Sequence, residues 1–162
     1  MKNGPIKLAL LLALLPLAAC NSDANVKSVI PATTAKKAAE PVKQAGGFTI
    51  IDNAKLQELL DKGVTLVDIR LPEEWQQTGI IKGSKTITFF DRNGRINPDF
   101  LPKFTALVKP EQPVALICRT GNRSKAASQA IAQQLGYKNV MDVGHGITSW
   151  IAEKRPVVKY GK

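Results

Sequence analysis

From residue 47 onward, short continuous apolar runs alternate with stretches whose apolar positions recur every three to four residues. The runs FTII (48–51) and VTLVDI (64–69) have the composition of strands buried on both faces. Between them, DNAKLQELLDKG places Leu56, Leu59 and Leu60 on one helical face, with Asp52 or Asn53 as cap and Gly63 as stop. PEEWQQTG opens on Pro72 with acidic residues in its first turn, which predicts a short helix. SKTITFF (84–90) alternates as a half-buried strand does, and NPDFLPKFTALV (97–108) predicts a helix or 3₁₀ turn around Pro102. PVALIC (113–118) is the most apolar strand, and a helix is expected over 124–135. NVMDV (139–143) is a further strand and GITSWIAEK (146–154) a closing helix. The alternation predicts an α/β domain of about five mostly parallel strands with helices on both faces.

The N-terminal segment breaks this pattern. Lys2 and Lys7 precede an apolar run from Leu8 to Ala19, and Cys20 follows. A positive start, a short apolar stretch and small residues before a cleavage point describe a signal peptide over residues 1–19. The run is short of the ~20 residues a membrane span needs. LAAC (17–20) resembles the lipobox of bacterial lipoproteins, which implies cleavage before Cys20 and lipid on its thiol and new amino terminus. Asn21 in place of Asp favours the outer membrane under the sorting rule for such lipoproteins. Residues 20–46, rich in Ala, Lys, Thr and Pro, read as a flexible tether, and residues 47–162 as the folded domain.

Export changes what the charge means. The chain carries +10 formally, which by itself would suit a nucleic-acid partner. Outside the cytoplasm, a basic surface instead meets anionic lipids or small anionic substrates, or simply keeps the domain soluble. Export also isolates a thiol: there are two Cys, and a lipidated Cys20 cannot pair with Cys118. A lone thiol in an oxidising compartment either pairs with another molecule or is reactive.

Cys118 ends the apolar strand, and RTGNR and then a helical pattern follow it. Ligands of open α/β sheets bind beyond the carboxyl ends of strands. The helix start supplies N–H groups and partial positive charge, and Gly121 permits a tight reversal that turns amides inward as a nest. Arg119 and Arg123 add fixed charge, and Ser124 is placed to cap the helix. These features favour a thiolate and lower the expected Cys118 pKa. The plainer possibility is a small buried Cys at a strand end, since Cys is among the most buried residue types.

CRTGNRS (118–124) resembles the active-site loop of the rhodaneses, single-domain thiosulfate sulfurtransferases, in which the pattern is Cys-Arg-x-Gly-x-Arg-Ser/Thr. LVDIRLPEEWQQTGIIKGS (66–84) is similar to a second family segment, and VMDVGHGITSW (140–150) to the closing Gly-Gly…Trp segment. Departures are Ile80 for a usual His, Ser84 for a usual Ala, TITFF (86–90) for Asn-Ile-Pro, and His145 within the Gly pair. The resemblance implies a three-layer rhodanese-like fold and a two-step reaction. The Cys118 thiolate would take the outer sulfur of thiosulfate or a similar anionic donor as a persulfide, then yield it to a thiol or cyanide. Arg119, Thr120, Gly121, Asn122, Arg123 and Ser124 would form the substrate-binding cradle. No cofactor, metal or nucleic acid is implied, and the domain is expected to act as a monomer.

Asp68 and Arg70, at the end of the second predicted strand, either tune the cradle's charge or form an ion pair that fixes the next helix. His145, the single His, could approach Cys118 as a base or be an ordinary loop residue. Trp75 and Trp150 read as packing residues. Two other functions compete. Phosphatases that share this fold use loops resembling Cys-x₅-Arg, whereas four residues separate Cys118 from Arg123 here, a smaller ring suited to one sulfur atom. A redox-sensing or binding module without catalysis is the other.

Overall fold

The structure, a computed structural model, describes residues 39–161. The expectations for the leader, Cys20 and the tether up to residue 38 lie outside the described residues. The tether's last residues do not: β1 (Val42–Lys43) pairs antiparallel with β2 (Phe48–Ile51) through a turn at 44–47. The fold therefore starts before residue 47, where a Pro- and Lys-rich composition masks a two-residue edge strand.

The chain then runs α1 (Asn53–Asp61), β3 (Thr65–Asp68), α2 (Pro72–Thr78), β4 (Lys85–Thr86), α3 (Phe100–Leu107), β5 (Val114–Ile117), α4 (Asn122–Gln134), β6 (Val140–Val143) and α5 (Gly146–Ala152). Six strands form one sheet in the order β1-β2-β6-β5-β3-β4, all pairs parallel except β1 with β2. The local signals act where the sequence places them. Asp52 caps α1 by accepting from the Lys55 N–H at 2.8 Å, and Gly63 takes a φ of +78° just past the helix. Pro102 sits in the first turn of α3, where a missing N–H leaves no bond unmade.

Side chains alternate across β5, which fixes the layers. Val114, Leu116 and Cys118 join the core under α3 and α4, with Phe100, Phe104, Ala127 and Ile131. Ala115 and Ile117 join the opposite core, with Leu56 of α1 and Ile147 and Trp150 of α5. The strand expected over 84–90 is regular only at Lys85–Thr86. Ile87 and Phe89 keep the alternation and are buried, but the backbone at Thr88 turns to side chains: its hydroxyl donates to the Arg70 carbonyl, and its carbonyl accepts from Asn97 Nδ2.

The end of β3 carries a buried ion pair. Asp68 and Arg70 are each 1% exposed, and Arg70 Nη2 meets Asp68 Oδ2 at 2.6 Å. The guanidinium also donates to the Glu74 and Gly79 carbonyls and to Thr78 Oγ1, so its full set of donors ties β3 to both ends of α2. Of the two roles open for this pair, the geometry is that of the clamp on the following helix. Removing one partner strands the other charge in the core. Arg70→Leu is expected to lower the unfolding free energy by about 3–5 kcal/mol in urea titrations, and the double variant Asp68→Leu/Arg70→Leu to lose less than the single. Equal losses in the two would show that the stranded charge is not the cause.

Candidate active site

Cys118 leaves the sheet on the face covered by α4, so its sulfur lies under that helix's N-terminus. It is 1% exposed. The Gly121 N–H donates to Sγ at 3.2 Å and the Ser124 hydroxyl lies 3.4 Å from it. Gly121 makes the reversal possible: its φ is +97°, and a Cβ there would run into the Gly144 carbonyl oxygen. The helix begins at Asn122, two residues earlier than its sequence pattern suggests, because this left-handed glycine serves as the N-cap residue. Ser124, expected to cap, instead sits inside the first turn with its hydroxyl against the Gly121 carbonyl at 3.1 Å.

A second element decides which way the loop's peptides point. The Ile147 N–H of α5 donates to the Cys118 carbonyl at 2.9 Å, and the Thr148 N–H to the Arg119 carbonyl at 3.1 Å. The Thr148 hydroxyl also donates to the Arg119 carbonyl at 2.8 Å. With these carbonyls turned toward α5, they are not available to the N–H groups that open α4, and the Gly121 N–H at the helix start is directed at the sulfur. Gly146 allows the approach, with φ +60° and room for no Cβ between the Cys118 and Arg119 carbonyls.

The predicted cradle residues separate into two kinds. Arg119, Thr120 and Asn122 are exposed, and Arg119 makes no side-chain ion pair among the described residues. It lines an open groove of about 270 Å³ between α2 and α5, together with Arg70, Glu74, Gln77 and Ile151. Arg123 is engaged elsewhere: Nη1 and Nη2 hold Glu74 Oε2 and Oε1 at 2.7 and 2.6 Å. Glu74 in turn accepts from the Leu71 N–H at 3.0 Å. Burial pushes the Glu74 carboxyl up, but Arg123, the Leu71 amide and the nearby Arg70 outweigh it and hold it below the usual carboxylate range. The same bond raises Arg123 further above its ordinary value. Arg123 is therefore a clamp between the loop and α2 as well as a source of charge.

Sequence reasoning passed over Glu74, although it stands in the PEEW segment one helical turn after Leu71. It also passed over Asp142, buried on β6 to 1% exposure, whose carboxyl burial pushes up to about 6. Nothing local marks either residue: Glu74 meets the loop only through Arg123, distant in sequence, and Asp142 is a carboxyl buried on a core strand. His145 is exposed at the start of α5, and Trp75 and Trp150 are buried as packing residues.

Comparison with known proteins gives one consistent result. The family model described as a rhodanese-like domain matches residues 52–153. The chain is 28% identical over 113 residues to thiosulfate sulfurtransferase 18 of Arabidopsis thaliana, covering 66% of this chain and 81% of the relative. A rhodanese-related protein from Thermoplasma volcanium superposes with a TM-score of 0.53 at 36% identity, over 67% of this chain and 95% of that one. A Rhodopseudomonas palustris protein of unknown function, described as a possible tyrosine phosphatase, superposes with a TM-score of 0.52 at 28% identity, over 66% and 82% of the two chains.

Gly146→Ala tests the role of α5. The methyl meets both loop carbonyls at 2.5 Å and forces an unfavourable φ, so a loss of about 1–3 kcal/mol is expected in thermal or urea unfolding. The rate of Cys118 alkylation is expected to change with it. A variant as stable as the native chain, with native alkylation, would remove α5 from the account of the loop.

Proposed function

The chain belongs to the rhodanese-like family, and from that membership we propose that it is a sulfurtransferase that carries sulfane sulfur on Cys118. The observation that carries the proposal is the sulfur's setting: a strand-end thiol under a helix N-terminus, with an amide and a hydroxyl aimed at it. Backbone donors fixed before reaction stabilise a developing anion without reorganising.

In the first step the Cys118 thiolate attacks the outer sulfur of thiosulfate. An Sγ–S bond forms, the bond within thiosulfate breaks, and sulfite leaves with the electron pair. The outer sulfur of the persulfide takes the place among the loop's N–H groups that an anion would occupy. In the second step a thiolate or cyanide attacks that sulfur and Cys118 leaves as thiolate, so no net oxidant is consumed. Arg119, exposed at the groove mouth, is the residue suited to draw in the anionic donor, and Arg123 with Glu74 holds the loop's shape.

The phosphatase alternative draws support from the Rhodopseudomonas palustris likeness. Loop length argues against it: four residues between Cys118 and Arg123 enclose less space than the longer phosphate-binding loops. Incubating the full chain with thiosulfate and weighing it intact is expected to show a gain of one sulfur atom, reversed by reductant and absent in Cys118→Ser. No adduct, with phosphate released from an aryl phosphate, would overturn the proposal in favour of a phosphatase.

We also propose that the chain is exported and anchored through lipid on Cys20, on the strength of the leader and the LAAC sequence. Bacterial cells expressing the native chain are expected to incorporate labelled palmitate into it, and cells expressing Cys20→Ser are not. Label retained in the variant, or absent from both, would sink this reading.

A further inference from the structure

The family match ends at residue 153, and the chain continues over residues 154–161 as a strap that folds back onto α2. Lys154 turns it. With φ +57° it is the one non-glycine residue in the left-handed region among the described residues, and its N–H closes on the Ile151 carbonyl at 2.8 Å. The Pro156 carbonyl then accepts from Trp150 Nε1 at 3.0 Å, which moors the first half of the strap to α5. The second half meets α2. Val158 and Ile80 exchange both backbone hydrogen bonds, at 2.8 and 2.9 Å, just past the end of that helix. Gly79 lies so close beneath that a Cβ there would be 2.6 Å from the Val158 oxygen. Tyr160 closes the strap on Trp75, with ring centroids 5.1 Å apart, and Trp75 is 4% exposed.

The helix under the strap is the one that holds the loop. With seven residues α2 is too short to be stable alone, so its contacts set its position. Arg70 ties down its ends through the Glu74 and Gly79 carbonyls and the Thr78 hydroxyl. Those bonds leave the roll of the helix about its axis to the packing of Trp75. Glu74 and Trp75 are consecutive and stand about 100° apart around the helix, so a roll that moves the ring moves the carboxylate. That carboxylate holds both Arg123 Nη atoms, at 2.7 and 2.6 Å, and a two-point bond of this kind is sensitive to orientation. The next residue, Ser124, has its hydroxyl 3.4 Å from Cys118 Sγ.

We propose that Tyr160 is a positioning residue for the Cys118 loop, acting from the strap through Trp75 and Glu74 on Arg123. The inference rests on Cys118 being the reacting group, as in the function proposed above, but not on which group it transfers. Releasing the strap lets α2 roll, the Glu74–Arg123 pair loses its two-point geometry, and the donors around the sulfur lose their fixed placement. A thiolate is then less well stabilised, although the sheet and the core beneath it are unchanged.

The test is the rate of Cys118 alkylation by iodoacetamide in the full chain near pH 7 and at about pH 9.5, above the ordinary thiol range, with Cys118→Ser as background. Rate follows thiolate fraction. Tyr160→Ala is expected to react roughly threefold to tenfold more slowly than native near neutrality, and within about a factor of two of native at the alkaline pH. Val158→Pro, which deletes the donor to Ile80 and leaves both rings in place, releases the strap by a second route and is expected to do the same. Tyr160→Phe keeps the ring and is expected to match native. Glu74→Ala is expected to fall as far as Tyr160→Ala, and the double variant no further than Glu74→Ala, since both substitutions act through one contact. A merely structural role would loosen the fold, uncover a sulfur that is 1% exposed, and raise the rate at both pH values. Such a rise, a native rate near neutrality in Tyr160→Ala and Val158→Pro, or additive losses in the double variant would overturn the inference. The expected rates in a chain that forms no persulfide would count against the sulfur-transfer reading alone.

Discussion

The loop after β5 depends on where two carbonyls point. Left free, the Cys118 and Arg119 carbonyls could turn toward the sulfur and cancel the amides beside it. The first turn of α5 prevents this by donating to both from the opposite side. An isolated strand–loop–helix unit would therefore be an incomplete site, and the last helix of the domain is part of its chemistry. The close packing this requires explains why glycine occupies both Gly121 and Gly146, where a methyl would strike backbone oxygen.

Charge is organised on the same plan, by ties between elements distant in sequence. Arg70 fixes α2 to β3, and α2 presents Glu74, which holds Arg123 in the loop. The chain Asp68–Arg70–α2–Glu74–Arg123 thus runs from one buried pair to the edge of the cradle. Its cost is desolvation, and it is offset by nearly complete hydrogen bonding: Arg70 alone donates to five separate oxygens. Asp142 contrasts with this chain, since it is equally buried yet has an oxygen left unmatched. Burial with so little pairing pushes the Asp142 carboxyl up to about 6.

Much of this was legible in the sequence, and the limits are physical. Strand and helix periods located every α-helix among the described residues and the four central strands, because those elements bury apolar faces with a clear repeat. β1 was not legible, since edge pairing at Val42–Lys43 leaves no periodic trace, and the alternation through Ile87 and Phe89 predicted a longer strand than forms, because the backbone at Thr88 bonds to side chains. Cys118, Gly121 and Ser124 are contiguous with the loop and were found there. Glu74 reaches the loop only through folding, from 49 residues away in sequence. A motif records neighbours along the chain; it is silent about neighbours made by packing.

The pinning of the loop at both ends has a further consequence for divergence within such a fold. Cys118 and Arg119 are held by α5 at one end, and Arg123 by Glu74 at the other. Exchanging a side chain between these anchors leaves the ring's circumference unchanged. Enlarging the ring takes an inserted residue, which the two anchors would force outward as extra girth. A descendant accepting a bulkier group would thus arise by a change in gene length more readily than by point substitution.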